Sequence, residues 1–198
     1  TPSPSHSAAL ITGTSSGIGR HAALELACEK HFRVVFATVR KEADAVGLSE
    51  EAEKRGCGEY LVPVLMDVTV EEDQETALEV VRKELEERSL SLGALVNNAG
   101  IAALGLSHAM PEERVDKMWA VNYFGLLSLT KRVLPLLKAH GEGARLVTIS
   151  SVSGFFTLPG FVHYSTTKAA VDALMNGLRR ELHGVVSVSN IQPGMVIT

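Results

Sequence analysis

Short apolar runs alternate with amphipathic stretches along almost the whole chain. The runs lie at residues 8–12, 33–38, 60–66, 94–97, 145–149 and 185–191, and most carry Val, Leu, Ile and Ala with little polar interruption. Unbroken apolar character at strand length predicts strands covered on both faces. Residues 18–30, 41–55, 71–88, 112–139 and 164–183 read as helices. In the third of these Ala77, Val80, Val81 and Leu85 fall at helical spacing, with charged residues on the other face. Strand–helix alternation repeated this often predicts an α/β fold: a doubly wound parallel sheet in three layers, joined by right-handed crossovers. No internal repeat, low-complexity tract or linker interrupts it, so residues 1–198 read as a single domain whose first seven residues form a mobile tail.

Composition narrows the partners. Nineteen basic residues against twenty-three acidic give a net charge of −4, which argues against nucleic acid or an anionic lipid surface. Two uncharged stretches, 89–111 and 146–167, are long enough to cross a bilayer. The first holds Asn97 and Asn98 and the second a run of serines and threonines, side chains that lipid could not satisfy. Both read as buried strands entering loops at a site, and no membrane span is expected. Two cysteines, Cys28 and Cys57, provide neither a disulfide framework nor a four-thiolate metal site. Cys28 reads as helix packing, and a reducing, cytoplasmic location follows. The seven histidines offer no ligand set, so no metal is expected.

The first strand runs into Thr12-Gly13-Thr14-Ser15-Ser16-Gly17-Ile18-Gly19 and then directly into a helix. Strand, glycine turn and helix N-terminus are what a dinucleotide pyrophosphate requires. Gly13 permits the tight turn, Gly17 admits the pyrophosphate, and Gly19 lets the helix pack against the sheet.

Tyr164 and Lys168 stand four residues apart, on one face of a helix. A free phenol with pKa ~10 shuttles protons poorly at neutral pH. An adjacent ammonium favours the phenolate. A shift of ~3 units needs roughly 4 kcal/mol, within reach of a partly buried charge pair. Tyr164 then acts as base for alcohol oxidation or as acid for carbonyl reduction.

The glycine spacing, Asn97-Asn98-Ala99-Gly100, Asn122, Ser151, Tyr164-x-x-x-Lys168 and Pro193-Gly194 occur in an order that resembles the short-chain dehydrogenase/reductase family, from residue 12 to the C-terminus. The resemblance implies a Rossmann-type fold and an oxidoreductase that moves hydride between a nicotinamide cofactor and a secondary alcohol or ketone. It assigns Asn122, Ser151, Tyr164 and Lys168 to catalysis, with Ser151 orienting the substrate oxygen. Asn122 would hold a water beside the lysine. The cofactor would meet Gly13, Ser15, Ser16, Gly17, Ile18, Gly19, Asp67, Val68, Asn97, Ala99, Gly100, Tyr164, Lys168, Pro193, Gly194, Val196 and Thr198. The second strand ends without an acid for a ribose 2′-hydroxyl, and Arg40 is placed to clamp a 2′-phosphate. NADP is therefore expected in preference to NAD.

The resemblance further implies a homodimer or homotetramer. Relatives continue past Pro193-Gly194, so the chain is expected to be truncated after Thr198, with the C-terminal part of the family fold missing. The end of the second strand resembles steroid- and retinoid-handling members. Phe155, Phe156, Leu158 and Phe161 could line a lipophilic pocket or belong to the core. The competing reading is a catalytically weak dinucleotide-binding or sensor protein. A sugar-nucleotide epimerase fits the glycine spacing poorly.

Overall fold

The structure, a computed structural model, describes residues 6–196. Six strands form one parallel sheet in the order β3-β2-β1-β4-β5-β6. They are β1 (Ser7–Ile11), β2 (Val34–Val39), β3 (Leu61–Leu65), β4 (Ser91–Asn97), β5 (Arg145–Ile149) and β6 (Ser187–Ile191). Every residue of β1 and β2 is buried, as their uninterrupted apolar runs require. Ser7 begins β1, so it is not part of a tail; residues 1–5 lie outside those described.

Helices cover both faces. On one, α1 (Gly17–Cys28) and α2 (Glu42–Lys54) bury Ala23, Leu24, Ala27, Leu48 and Ala52 against Ile11, Val35 and Ala37. On the other, α3 (Glu71–Glu87), α5 (Leu126–His140) and α6 (Val162–Glu181) pack the larger core through Leu78, Val81, Leu129, Val133, Val171 and Met175. No helix among the described residues is long and apolar enough to cross a membrane. The chain doubles back between β1 and β4, so a crevice opens above their carboxyl ends, the usual ligand site of such sheets.

Four features differ from the sequence expectation. The strand expected at 94–97 begins at Ser91: Gly93 breaks its apolar signal and is skipped in the register with β1, but pairing runs on both sides of it. The strand expected at 185–191 begins at Ser187, because the amides of Val185 and Val186 both turn back onto the Leu182 carbonyl. The helix expected over 112–139 is α4 (Glu112–Trp119), a π-turn over Ala120–Gly125, and then α5. Gly125 in that turn lies against the Val68 carbonyl, where a Cβ would collide. Finally, Cys28 and Cys57 are joined as a disulfide across α1 and the segment after α2, rather than standing as two free thiols. A separation of 29 residues gave that pairing no local sign.

Candidate active site

The crevice above β1 and β4 holds a cavity of about 470 Å³. Its floor is the glycine turn. Gly13, at φ 69°, takes a conformation that favours glycine, and a Cβ there would sit 2.7 Å from Ala99 Cα. Ser15, Ser16, Ile18 and Gly19 line the cavity. Gly17 is not a wall residue; its φ of 60° lets the chain turn into α1. Ser16, extended before α1, makes no side-chain cap. The first N–H groups of the helix are thus left to meet an anion.

The turn is locked to the segment after β4. Thr12 Oγ1 accepts hydrogen bonds from the Asn98 and Ala99 amides, both at 2.9 Å. Asn98 Nδ2 donates to the carbonyls of Thr12 (2.8 Å) and Gly13 (2.9 Å). A methyl on Gly19 would strike that amide and the Gly13 carbonyl. Gly19 therefore makes room for Asn98 as well as for helix packing. Gly19→Ala is expected to lower folding stability by about 1–3 kcal/mol, read as an earlier urea midpoint with an unchanged slope. An unshifted midpoint would mean the Asn98 amide leaves at no cost.

Asn97 is the residue the sequence expectation misplaced. Its side chain is buried under the sheet and donates to Thr130 Oγ1 at 2.9 Å, away from the cavity. Successive strand residues face opposite sides, and Asn98 is the one at the site. Thr12, Thr14 and Thr38 were also missed. Thr14 donates from its amide (2.9 Å) and its hydroxyl (3.0 Å) to the Thr38 carbonyl, fixing the end of β2 beside the turn. Only the glycine motif next to Thr12 and Thr14 could have pointed to them.

From that end of β2, Arg40 reaches the cavity wall, exposed and without a hydrogen bond or ion pair among the described residues. Asp67 and Val68 border the same side. Burial works to raise the Asp67 pKa, but hydrogen bonds from the Thr69 hydroxyl and amide, with Arg40 and Lys117, hold it below the ordinary carboxylate value.

The opposite wall carries Ser151, Tyr164 and Lys168, together with Ala99, Gly100, Pro193, Gly194 and Val196. Thr198 lies outside the described residues. Lys168 is 5% exposed. Its Nζ donates to the Ile149 carbonyl at 3.0 Å and stands over the Tyr164 ring, 5.7 Å from its centre. Burial lowers the Lys168 pKa to about 8, against a smaller opposing pull from Asp172.

Tyr164 departs from expectation. Burial raises its pKa above the usual phenol value, and a Ser151 hydrogen bond only partly offsets this. With desolvation prevailing, the phenol keeps its proton at neutral pH. Ser151 Oγ accepts from the Ser153 amide at 3.1 Å, beside its hydrogen bond with Tyr164.

Asn122 sits in the π-turn, buried, with both its amide protons donated. Oδ1 accepts from the Ile101 amide (2.8 Å), and Nδ2 donates to the Ile101 carbonyl (2.9 Å) and Thr167 Oγ1 (3.0 Å). It braces the loop after β4 against α6, and its amide has no proton left for a water. Phe155, Phe156 and Leu158, exposed by 72%, 61% and 50%, are not core. Phe161 packs edge-on to Tyr164.

A family model for short chain dehydrogenase matches residues 7–198. Among curated proteins the chain is similar to an NADPH-dependent 3-dehydrocapnine reductase of Ornithobacterium rhinotracheale, 35% identical over 96% of this chain and 65% of that protein. It is also similar to estradiol 17-beta-dehydrogenase 2 of Mus musculus, 36% identical over 94% of this chain and 47% of that protein. A solved short-chain dehydrogenase from Streptomyces avermitilis superposes with a TM-score of 0.82 at 30% identity, over 98% of this chain and 67% of that one. The chain thus spans just under two thirds of the length of the first of these relatives.

Proposed function

The chain belongs to the short-chain dehydrogenase family, and from that premise we propose that it is an oxidoreductase using NADP(H) on a secondary alcohol or ketone of lipophilic character. One observation carries the reading: Tyr164, Lys168 and Ser151 share a single cavity with an uncapped helix N-terminus and the unpaired Arg40. The open N–H groups of α1 and the close-set glycines suit a pyrophosphate, and Arg40 suits a 2′-phosphate. Bound there, the dinucleotide would supply or accept the hydride.

The protein groups govern the proton. Ser151 donates to the substrate oxygen and fixes its place. Tyr164, protonated at neutral pH, gives its proton to that oxygen as a carbonyl is reduced. Lys168, charged below about pH 8, stabilises the phenolate left behind. Reduction should accordingly fall as pH rises through about 8, where the lysine loses its charge. A rate that stays flat from neutral pH to well above that value would remove Lys168 from the proton path.

Lipophilic character is supported by Phe155, Phe156 and Leu158, held exposed on the segment between Ser151 and Tyr164. Exposed apolar side chains of this size usually meet a ligand or a partner. A homo-oligomer fits the edge-to-face cluster of Trp119, Tyr123 and Phe124, whose last ring is largely exposed.

The deciding experiment is a fluorescence titration with NADPH and NADH, followed by a panel of ketones from small and polar to large and apolar. NADPH binding tighter than NADH, with turnover rising along the apolar series, is the expected result. Binding without turnover of any ketone would favour a dinucleotide sensor, and no binding of either nucleotide would overturn the proposal.

A further inference from the structure

Asp172 lies one helical turn beyond Lys168 on α6 and belongs to none of the motifs described above. Its carboxylate accepts two hydrogen bonds from the chain leaving β6, from Asn190 Nδ2 to Oδ1 and from Gln192 Nε2 to Oδ2, each 2.7 Å. Among the described residues this is the one bond that fixes the Asn190 amide, whose Oδ1 is buried without a partner. Gly154 closes over the same turn: a Cβ there would collide with Asp172 Oδ2 and stand 3.3 Å from the Lys168 backbone carbon. The next residues after Gln192 are Pro193 and Gly194, which wall the cavity, and the Pro193 carbonyl accepts from the Val152 amide at 3.0 Å.

We propose that Asp172 is a positioning residue with two tasks: it buckles the Pro193-Gly194 wall to α6, and it is the counter-charge that keeps Lys168 an ammonium. The inference rests on the oxidoreductase reading for its purpose, but not for its geometry.

The groups around the lysine make the second task specific. On its own helix it has Tyr164 and, one turn on, Asp172; from β5 comes the Ile149 carbonyl and from the loop after β4 Gly100. Asp172 is the only one of these that is charged at neutral pH. Burial strips the ammonium of water and favours the neutral amine, and an anion at i+4 on the same helix face opposes that loss. The two hydrogen bonds from the β6 side hold the carboxylate in place. Wall and lysine are thereby set by one carboxylate.

The test follows the Lys168 side chain by NMR in the full chain carrying labelled lysine, with Lys168→Met identifying the signal. Asp172→Asn keeps the shape and removes the charge, and the exposed Gln192 can turn its amide to suit. Its Lys168 midpoint is expected about 1 pH unit below the wild-type value near 8. Asp172→Glu should recover most of that shift. Asp172→Ser gives the same downward sign and serves if the Asn variant does not fold. Gln192→Ala, which cuts one strap without touching charge, should leave the midpoint in place and raise the Kd for NADPH about 5-fold, a loss near 1 kcal/mol.

A Lys168 midpoint unmoved by Asp172→Asn overturns the counter-charge. Equal shifts in the Asn, Glu and Gln192→Ala variants would mean general loosening and overturn it equally. Unchanged NADPH affinity in Gln192→Ala overturns the buckle. The lysine titration needs neither nucleotide nor turnover, so it stays readable if the protein binds no NADPH, and the two failures are told apart.

Discussion

Replacing Tyr164 by Phe is expected to cut carbonyl reduction with NADPH by about 10³-fold while leaving NADPH affinity within about twofold of wild type. The substitution deletes one oxygen and keeps the ring that packs edge-on against Phe161 and under Lys168 Nζ, so the wall of the cavity stays. What goes is the phenol proton on the cavity wall. Ser151 cannot replace it, because a hydroxyl with an alcohol's acidity orients an oxygen but does not protonate it on the reaction path. Lys168 cannot either: its ammonium is directed to the Ile149 carbonyl. Because burial raises the phenol pKa, the wild-type group is the acid form across neutral pH. The loss should therefore be nearly constant there and confined to kcat. Stopped-flow single turnover with NADPH and a reactive ketone would read it directly. Activity within tenfold of wild type would take Tyr164 out of the proton path.

The parts of this site that were legible in the sequence are those whose signal is local. A run of buried Val, Ala and Leu announces β1 and β2, four-residue spacing puts Tyr164 and Lys168 on one helix face, and the glycine turn marks its own strand and helix. What was not legible depends on partners far along the chain. Asn97 and Asn98 are neighbours with the same side chain, and only the register of β4 against β1 decides which one reaches the cavity. The π-turn that carries Asn122 brings Gly125 up against the Val68 carbonyl, more than fifty residues away. Asp172 carries no local sign of its role, because its two hydrogen-bond donors come from the end of β6 and the residue after it.

The Tyr164 pKa is the most instructive of the differences. Spacing predicts a lysine next to a tyrosine and hence an acidified phenol. It cannot say that the amine lies over the ring face, or that the hydroxyl is buried deeply enough for desolvation to prevail. The sign decides which form of the phenol the protein groups alone support at neutral pH. A protonated phenol is ready to reduce a carbonyl. A phenolate would be ready to oxidise an alcohol.

Arg40→Asp is expected to lower the ratio of NADPH to NADH affinity by about 10²-fold or more. A hydrogen-bonded guanidinium–phosphate pair is worth about 1.5–3 kcal/mol, and the new carboxylate repels the same phosphate. It also offers an acceptor to a ribose 2′-hydroxyl at the end of the second strand, where enzymes that use NAD place an acid. Both changes push the ratio the same way. Arg40 is free to act as a clamp because no carboxylate among the described residues holds it in an ion pair, and Thr14 fixes the strand end from which it projects. Asp67 nearby adds a control. Arg40 contributes to keeping that carboxyl ionised, so the variant brings two acids together and should itself bind NADH less tightly than an ideal NAD site. Arg40→Met separates the effects: it should lose NADPH affinity without gaining any for NADH. If both variants keep the wild-type ratio, the phosphate is held elsewhere and the preference for NADP does not arise at the end of β2. If Arg40→Met alone matches the full effect of Arg40→Asp, the clamp stands, but the carboxylate gains nothing from the ribose.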